Sequence, residues 1–446
     1  VTGGGELALF GGKPAIPSHS HQLWPIVTDD ERTAVARVLD RGVLSGPFAP
    51  ESMALEEEFA RFVGAKHCIL THCGTSALLV ALSGAGVRAG DEVIVPAYSF
   101  VATPLAVAQI GAIPVFADID EASGCIDPAL AEAAVTERTR AIMPVHMHGC
   151  AADMTRLLEV ATRRGLVVVE DAAQAHGATS NGKPVGALGA AGGFSLQSSK
   201  NLGAGEGGLM VTNDAAVAEA ASAVRNFGQD LARSEAHEFD PTHPLDGIRA
   251  LDSQRMGSMF RGNEMMAAFA RAQLARLPER TERCQRNAER LARALSDLPG
   301  VTPPSLPAGR TSVHHKFRVR LDPERAELPL SATQLRDAML RALRAEGLEV
   351  VLWQSAPLPA QGVFQRRDER DAFPRQAPNG TDLGANYDPA RYPRTKALLA
   401  GSLLLFSQSY PLIAQSEETV DRYAEAFRKV WRQRDRLVDA AAARRP

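Results

Sequence analysis

The chain has 446 residues, of which 49 are basic and 52 acidic, for a net charge of −3, and 45% are hydrophobic with few aromatics. That length allows two or three domains, the apolar content excludes wholesale disorder, and the charge balance excludes the basic footprint of a nucleic-acid binder. No apolar run reaches the ~20 residues of a membrane span. The five cysteines have no zinc-ribbon or redox spacing. The expectation is a cytoplasmic α/β protein with reduced thiols.

Residues 1–27 are rich in Gly, Pro and His, lack the pattern of a secretory leader, and read as an extended arm. TDDERTAVARVLDRG (28–42) carries a cap at Thr28, early acids and a closing Gly42, which predicts a helix. SMALEEEFARFVGA (52–65) predicts a second helix. An alternation then begins. Strands are expected at 66–72, 91–97, 113–119, 140–147 and 166–173, then at GGFSLQ and GGLMVTN. Helices are expected from Gly74, at 103–111, and over LAEAAVT and TRLLEVATRRG. Short apolar runs alternating with helices indicate a mostly parallel sheet covered on both faces.

Residues 229–256 are polar and irregular and read as a long functional loop. NEMMAAFARAQLARLPERTERCQRNAERLARALSDLPG predicts one long helix bridging two domains. KFRVRL (316–321) and LEVVLW (348–353) predict strands, with a helix at 331–347 between them. Residues 360–395 read as a loop, and the chain closes with a helix from SEETVDRY onward. The expected division is an arm over 1–27, a large domain over 28–285 and a smaller α+β domain over 286–446.

Ligands of open parallel sheets bind at the carboxyl ends of the strands, so residues just after strands carry the chemistry. CGTSAL places Gly74, Thr75 and Ser76 at a helix N-terminus, where free amides and the helix dipole suit an anion. Ordinary capping is the plainer alternative. There is no GxxxxGK[ST] and no GxGxxG after the first strand, so neither a nucleoside triphosphate nor a nicotinamide site is implied. VVVEDAAQAHG ends a buried strand in Glu170-Asp171, and a carboxylate there needs a partner. The pair His146 and His148 lacks a credible third ligand, so no metal is expected. Lys200 lies between the apolar FSL and the glycines at 203, 205, 207 and 208. Burial there would lower its pKa toward the range a Schiff-base amine needs. Anion turn, strand-end carboxylate and lysine are together the parts that pyridoxal 5'-phosphate requires.

These motifs, with DEVIVPAYSFVATPLAV, PVFADID, AIMPVHMHG and FSLQSSKNLGAGEGGLMVTND, resemble the DegT/DnrJ/EryC1/StrS family of pyridoxal-phosphate aminotransferases from about residue 22 onward. The resemblance implies the aspartate-aminotransferase fold (fold type I), a mostly parallel central sheet plus a smaller C-terminal α+β domain. It implies that Lys200 holds the cofactor and shuttles protons, while Asp171 keeps the pyridine nitrogen protonated. Phe100 would stack on the ring. Gly74, Thr75, Ser76 and Ser195 would hold the phosphate, and Gln174 would line the ring. It also implies a homodimer with shared active sites.

Two positions depart from the family pattern. Met259 stands where an Asn usually reaches the neighbouring subunit's phosphate, with Arg261 or Asn263 as candidate substitutes. Cys73 stands where Ser or Asn is more usual. The family's dehydratases carry His at the lysine position, so Lys200 favours transamination. The implied reaction moves an amino group from glutamate or glutamine to a ketone on a sugar or cyclitol, in natural-product or cell-envelope biosynthesis. The ketone would be a nucleotide-linked keto-sugar or a scyllo-inosose-like ring. VHMHG, WPIVTDDE and VLWQSAPLPAQGVFQ are more similar to the cyclitol branch. The alternatives are a dehydratase or aromatising lyase like 3-amino-5-hydroxybenzoate synthase, and a degenerate non-catalytic homologue.

Overall fold

Thr28 caps the first helix, α1 (Asp29–Arg41), in a capping box with Glu31, and Gly42 ends it at φ 74°. α2 (Pro50–Val63) starts two residues before the expected helix, because Pro50 at its first turn supplies a helical φ without needing a hydrogen bond. The computed structural model describes residues 5–17, 20–46, 48–229, 253–366 and 386–442. The alternation after residue 66 is as expected as far as Thr212, and the helix Ala215–Arg225 that follows was not anticipated. It runs β1 (His67–Thr71), α3 (Gly74–Gly84), β2 (Glu92–Pro96), α4 (Ala102–Gln109), β3 (Ile113–Ala117), α5 (Pro128–Ala133) and β4 (Thr139–Ile142). It continues through α6 (Met154–Arg164), β5 (Val167–Asp171), a small hairpin of β6 (Thr179–Ser180) and β7 (Lys183–Pro184), β8 (Ala191–Ser195), β9 (Gly208–Thr212) and α7 (Ala215–Arg225).

Seven of these strands form one sheet in the order β1-β9-β8-β5-β4-β2-β3. β9 alone runs antiparallel to its neighbours; β8, β5, β4, β2 and β3 are mutually parallel. The five-residue strands β2, β3, β8 and β9 are buried along their whole length. This is the continuous apolar signature of a sheet covered on both faces. Register fixes the site. Thr71 pairs with Gly208, and Gly208 with Ser195, so the three lie in one row across the sheet. Asp171 pairs with Gly193 one strand further on.

A second, four-stranded antiparallel sheet has the order β10 (Val301–Thr302), β11 (Phe317–Leu321), β13 (Ser402–Leu405), β12 (Val350–Val351). The strand expected over 348–353 is thus only two residues long, and β13 was not anticipated. GSLLLF is a short apolar run whose periodicity does not separate strand from buried helix. Of the two loops expected, residues 230–252 and 367–385 lie outside the described residues. The end of the second is helical, Pro393–Ala400.

Two expected long helices are each two. The bridging helix breaks into Glu264–Ala275 and Leu277–Leu295 at Arg276, with Pro278 in the first turn of the second piece. Proline has no N–H to give back to residue 274, so the ladder must restart there. The closing helix divides into Glu417–Arg432 and Asp435–Ala442 with no Gly or Pro to mark the turn. Packing decides this break, since both Trp431 and Leu437 are buried and the last piece lies against the helix Ala332–Ala345.

The N-terminal arm is anchored as well as extended. Leu7, Ile16 and Trp24 are buried. The boundary expected between residues 285 and 286 falls inside the helix Leu277–Leu295. Buried residues of both sheets, among them Phe194 and Phe317, belong to one apolar cluster. Glu264, fully buried, ties that region to α2 by accepting from Glu51 N, Ser52 N, Ser52 Oγ and Arg41 Nη2 at 2.9, 2.7, 2.7 and 2.8 Å. A buried carboxylate is tolerable because every lone-pair direction is met.

Candidate active site

The carboxyl ends of β1, β2, β5 and β8 open on one edge of the large sheet, and the expected residues lie there. Asp171 ends β5. Its Oδ2 accepts from Thr103 Oγ1 at 2.7 Å and its Oδ1 from Ala173 N at 3.1 Å. Burial raises its pKa, while Thr103, Ala173 and the charge of Lys200 oppose the rise. Glu170, the preceding residue, points to the other face as strand alternation requires. It accepts from His146 Nε2 and from the amides of Gly186, Leu188 and Gly189. Its role is to hold the loop that leads into β8.

Lys200 follows β8 in a tight turn whose amide returns to Gln197 O at 2.8 Å. Burial lowers its pKa to about 8, against the attraction of Asp171 and Glu206. Its amine has no hydrogen-bond partner among the described residues. The turn is clamped by the arm: Trp24 Nε1 donates to Lys200 O at 3.0 Å, and Arg280 lies over the Trp24 ring at 5.3 Å. Sequence reasoning missed Trp24. The signal lay in an isolated Trp within a polar arm, but its target is 176 residues away.

Gly74 begins α3 directly against Ser195; a Cβ at Gly74 would lie 2.7 Å from Ser195 Cβ. The cap is Cys73, whose Sγ accepts from Ser76 N at 3.4 Å. Sulfur thus does the capping work of the more usual Ser or Asn. Ser76 Oγ is 3.2 Å from Cys73 Sγ and 3.3 Å from His72 Nε2, and the His72 ring stacks on Phe260. Thr75 is half-buried beside it. The glycines after Lys200 serve mainly the protein's own packing. A Cβ at Gly208 would meet Cys73 O at 2.2 Å, one at Gly207 Met266 Sδ at 2.9 Å, and one at Gly203 Ser198 O at 2.5 Å. Only Gly205, at φ 88°, has open space.

Gln174 is buried, and its Oε1 accepts from His148 N at 3.0 Å. Phe100 lies between β2 and α4, on the same edge, with its ring 56% exposed. His146 and His148 part company. His146 is a fully buried structural residue bonded to Glu170 and to Ala152 N. His148, at φ 56°, bonds Tyr98 Oη at 2.7 Å, and both rings meet Trp353 edge-on. No cluster of potential metal ligands occurs among the described residues. His176 is buried beside Phe59 and Phe194, and burial lowers its pKa to about 3.

Met259 pairs its backbone with Asn226 and leaves its side chain 40% exposed. Asn263 is committed as the cap of Glu264–Ala275, accepting from Met266 N at 3.0 Å, and Arg261 bonds Asn226 Oδ1.

The donor set fits pyridoxal phosphate. A half-buried amine with no hydrogen-bond partner among the described residues, a buried carboxylate that accepts two hydrogen bonds, and a helix N-terminus facing a serine hydroxyl share one strand edge.

The chain matches the model of the DegT/DnrJ/EryC1/StrS aminotransferase family over residues 25–382. It is 35% identical to L-glutamine:scyllo-inosose aminotransferase of Streptomyces griseus, over 95% of this chain and 97% of that protein. It is 35% identical to L-glutamine:2-deoxy-scyllo-inosose aminotransferase of Streptomyces fradiae, over 96% and 97%. Among solved structures, 3-amino-5-hydroxybenzoic acid synthase superposes with a TM-score of 0.77 at 30% identity, covering 96% of this chain and 99% of that one.

Proposed function

We propose that this chain, which belongs to the DegT/DnrJ/EryC1/StrS aminotransferase family, uses pyridoxal phosphate to move an amino group from glutamine or glutamate to a ketone on a cyclitol or sugar. A free keto-cyclitol of the scyllo-inosose type is the first candidate. The observation that carries the chemistry is the half-buried Lys200 amine, with its pKa lowered to about 8 and the buried carboxylate of Asp171 in its field. The length-wide relation to the two glutamine-dependent cyclitol enzymes supports the substrate class.

When bound, pyridoxal phosphate supplies an electron sink for the carbon that loses a proton. The chain's own residues do the rest. Lys200 Nζ, uncharged in a large fraction of molecules near pH 8, can take a proton from the donor's α-carbon and deliver one in the second half-reaction. Asp171, whose charged form Thr103 and Ala173 favour against the effect of burial, would hold a proton on the ring nitrogen. The amides of Gly74, Thr75 and Ser76 with Ser195 Oγ would bind the phosphate. Phe100 and Gln174 would line the ring, and Trp24 holds the Lys200 turn in place.

We also assign the chain a homodimeric, cytoplasmic state and a division near residue 285. Exposed apolar side chains such as Leu39, Leu44, Phe48 and Met53 support a homodimer that covers them. No helix among the described residues is long and apolar enough to cross a membrane.

Borohydride reduction of the holoenzyme followed by peptide mapping tests the site: the label is expected on Lys200 alone. Incubation with scyllo-inosose and glutamine tests the reaction, with one donor consumed per amine formed. The likeness to 3-amino-5-hydroxybenzoic acid synthase favours a second reading, an aromatising lyase. Turnover of an amino-cyclohexenone without net donor consumption would select it.

A further inference from the structure

Beside His148, two cations are buried with no carboxylate partner among the described residues. Lys316 is 5% exposed and its Nζ makes no hydrogen bond. Arg318 is 7% exposed; its Nη2 donates to Ala122 O at 3.1 Å, and its Nη1 is unsatisfied. Lys316 lies in the bend just before β11 and Arg318 within that strand. They line one small cavity together with His148, His314, Ser123 and Ser305.

No carboxylate answers them among the described residues. The groups that act on Lys316 and His148 are all positive, and the charge of Lys200 reaches both. His315, the neighbour of Lys316 in the chain, is likewise depressed by burial and by Lys316, Lys200 and two histidines. Burial and this like-charge field lower Lys316 to about 8. Among the described residues, Asp171 is the only buried carboxylate in the field of Lys200, and it is already bonded to Thr103 and Ala173. An uncompensated buried charge is strongly unfavourable. Two such charges at one cavity, each with free donors, make an anion site in a protein that binds charged substrates.

We propose that Lys316 and Arg318 form an oxyanion site for a carboxylate or phosphate group carried by the reacting substrate. The assignment rests on the aminotransferase reading above and adds that one of the two substrates is anchored here by its charge. Two sources share this chemistry: the carboxylate of the amino-acid donor and an acidic group on the ketone. The cavity is separate from the Gly74–Ser195 cup, so the cofactor's own phosphate does not fill it.

The test uses the purified holoenzyme and succinate, a dicarboxylate that cannot react, with inorganic phosphate as the second probe. Saturable binding by calorimetry is expected for at least one of them, weakened at least tenfold in Lys316→Met and preserved within about threefold in Lys316→Arg. Arg318→Gln should weaken it as well, with borohydride labelling of Lys200 unchanged in every variant. Single-turnover half-reactions then separate the sources. A tenfold rise in the glutamine concentration needed for half-maximal rate in Lys316→Met marks the donor carboxylate. A matching loss confined to the ketone half-reaction marks an acidic ketone. The proposal is overturned if neither probe binds saturably, or if Lys316→Met binds the probe as tightly as the parent. Either result with Lys200 still labelled leaves the aminotransferase reading intact, whereas loss of labelling in the parent enzyme overturns that reading instead.

Discussion

Gly74 and Ser195 touch across the first and sixth crossings of the chain through the large sheet: a side chain at 74 would come within 2.7 Å of Ser195 Cβ and 3.1 Å of its Oγ. The contact makes a cup of a helix N-terminus and a strand end. In Gly74→Ala the added methyl must push Ser195 away from that cup. We predict at least a tenfold loss of pyridoxal phosphate affinity, read by titrating the apoenzyme and following cofactor absorbance. Unchanged affinity would mean that the phosphate lies elsewhere.

Thr103 is the side-chain partner of Asp171. A hydrogen bond to a charged group contributes about 1.5–3 kcal/mol, so Thr103→Val should raise the Asp171 pKa further and lower kcat by roughly 10- to 100-fold. The far-ultraviolet spectrum should not change. A kcat profile that keeps its acid limb in place would show that Thr103 does not tune this carboxylate.

Capture of cofactor by Lys200 needs the neutral amine. With a pKa of about 8, the rate of holoenzyme formation at fixed cofactor should rise about tenfold between pH 7 and pH 9 and then level off. The linkage sign follows from the same value. The unfolded lysine, near 10.5, holds its proton longer than the folded one. Apoenzyme stability from this group therefore increases with pH between about 8 and 10.5. Denaturant midpoints of the apoenzyme and of Lys200→Met across that window measure it; parallel curves would contradict it.

Glu264 joins α2 to the helix it begins. Glu264→Gln keeps the shape, removes the charge paired with Arg41, and leaves an NH₂ facing donors. A loss of about 2 kcal/mol is expected, seen as a lower urea midpoint with unchanged slope. An unchanged midpoint would show that the carboxylate is not the tie.

The alternation from residue 66 to 212 was legible because each strand and helix carries its own periodicity and its own stop signals. Thr28 and Gly42 are examples, since capping is a matter of a few neighbouring atoms. Lys200, Asp171 and Gly74 were legible for a related reason: a parallel sheet puts whatever follows its strands on one edge. The helix break at Arg276 was also written locally, in Pro278, although the long amphipathic pattern on either side concealed it.

What the sequence determined by itself was the kind of sheet, the edge on which chemistry sits and the residue types that sit there. Tertiary structure alone decided which side chains meet. Trp24 closes on Lys200 O, Thr103 on Asp171, and Lys316 and Arg318 line a single cavity with His148. It also set three of the glycines after Lys200 in close packing against Cys73, Ser198 and Met266. The physical reason is range. Propensity, capping and periodicity act over a few residues, whereas a hydrogen bond or an unpaired charge depends on what the fold brings from a hundred residues away.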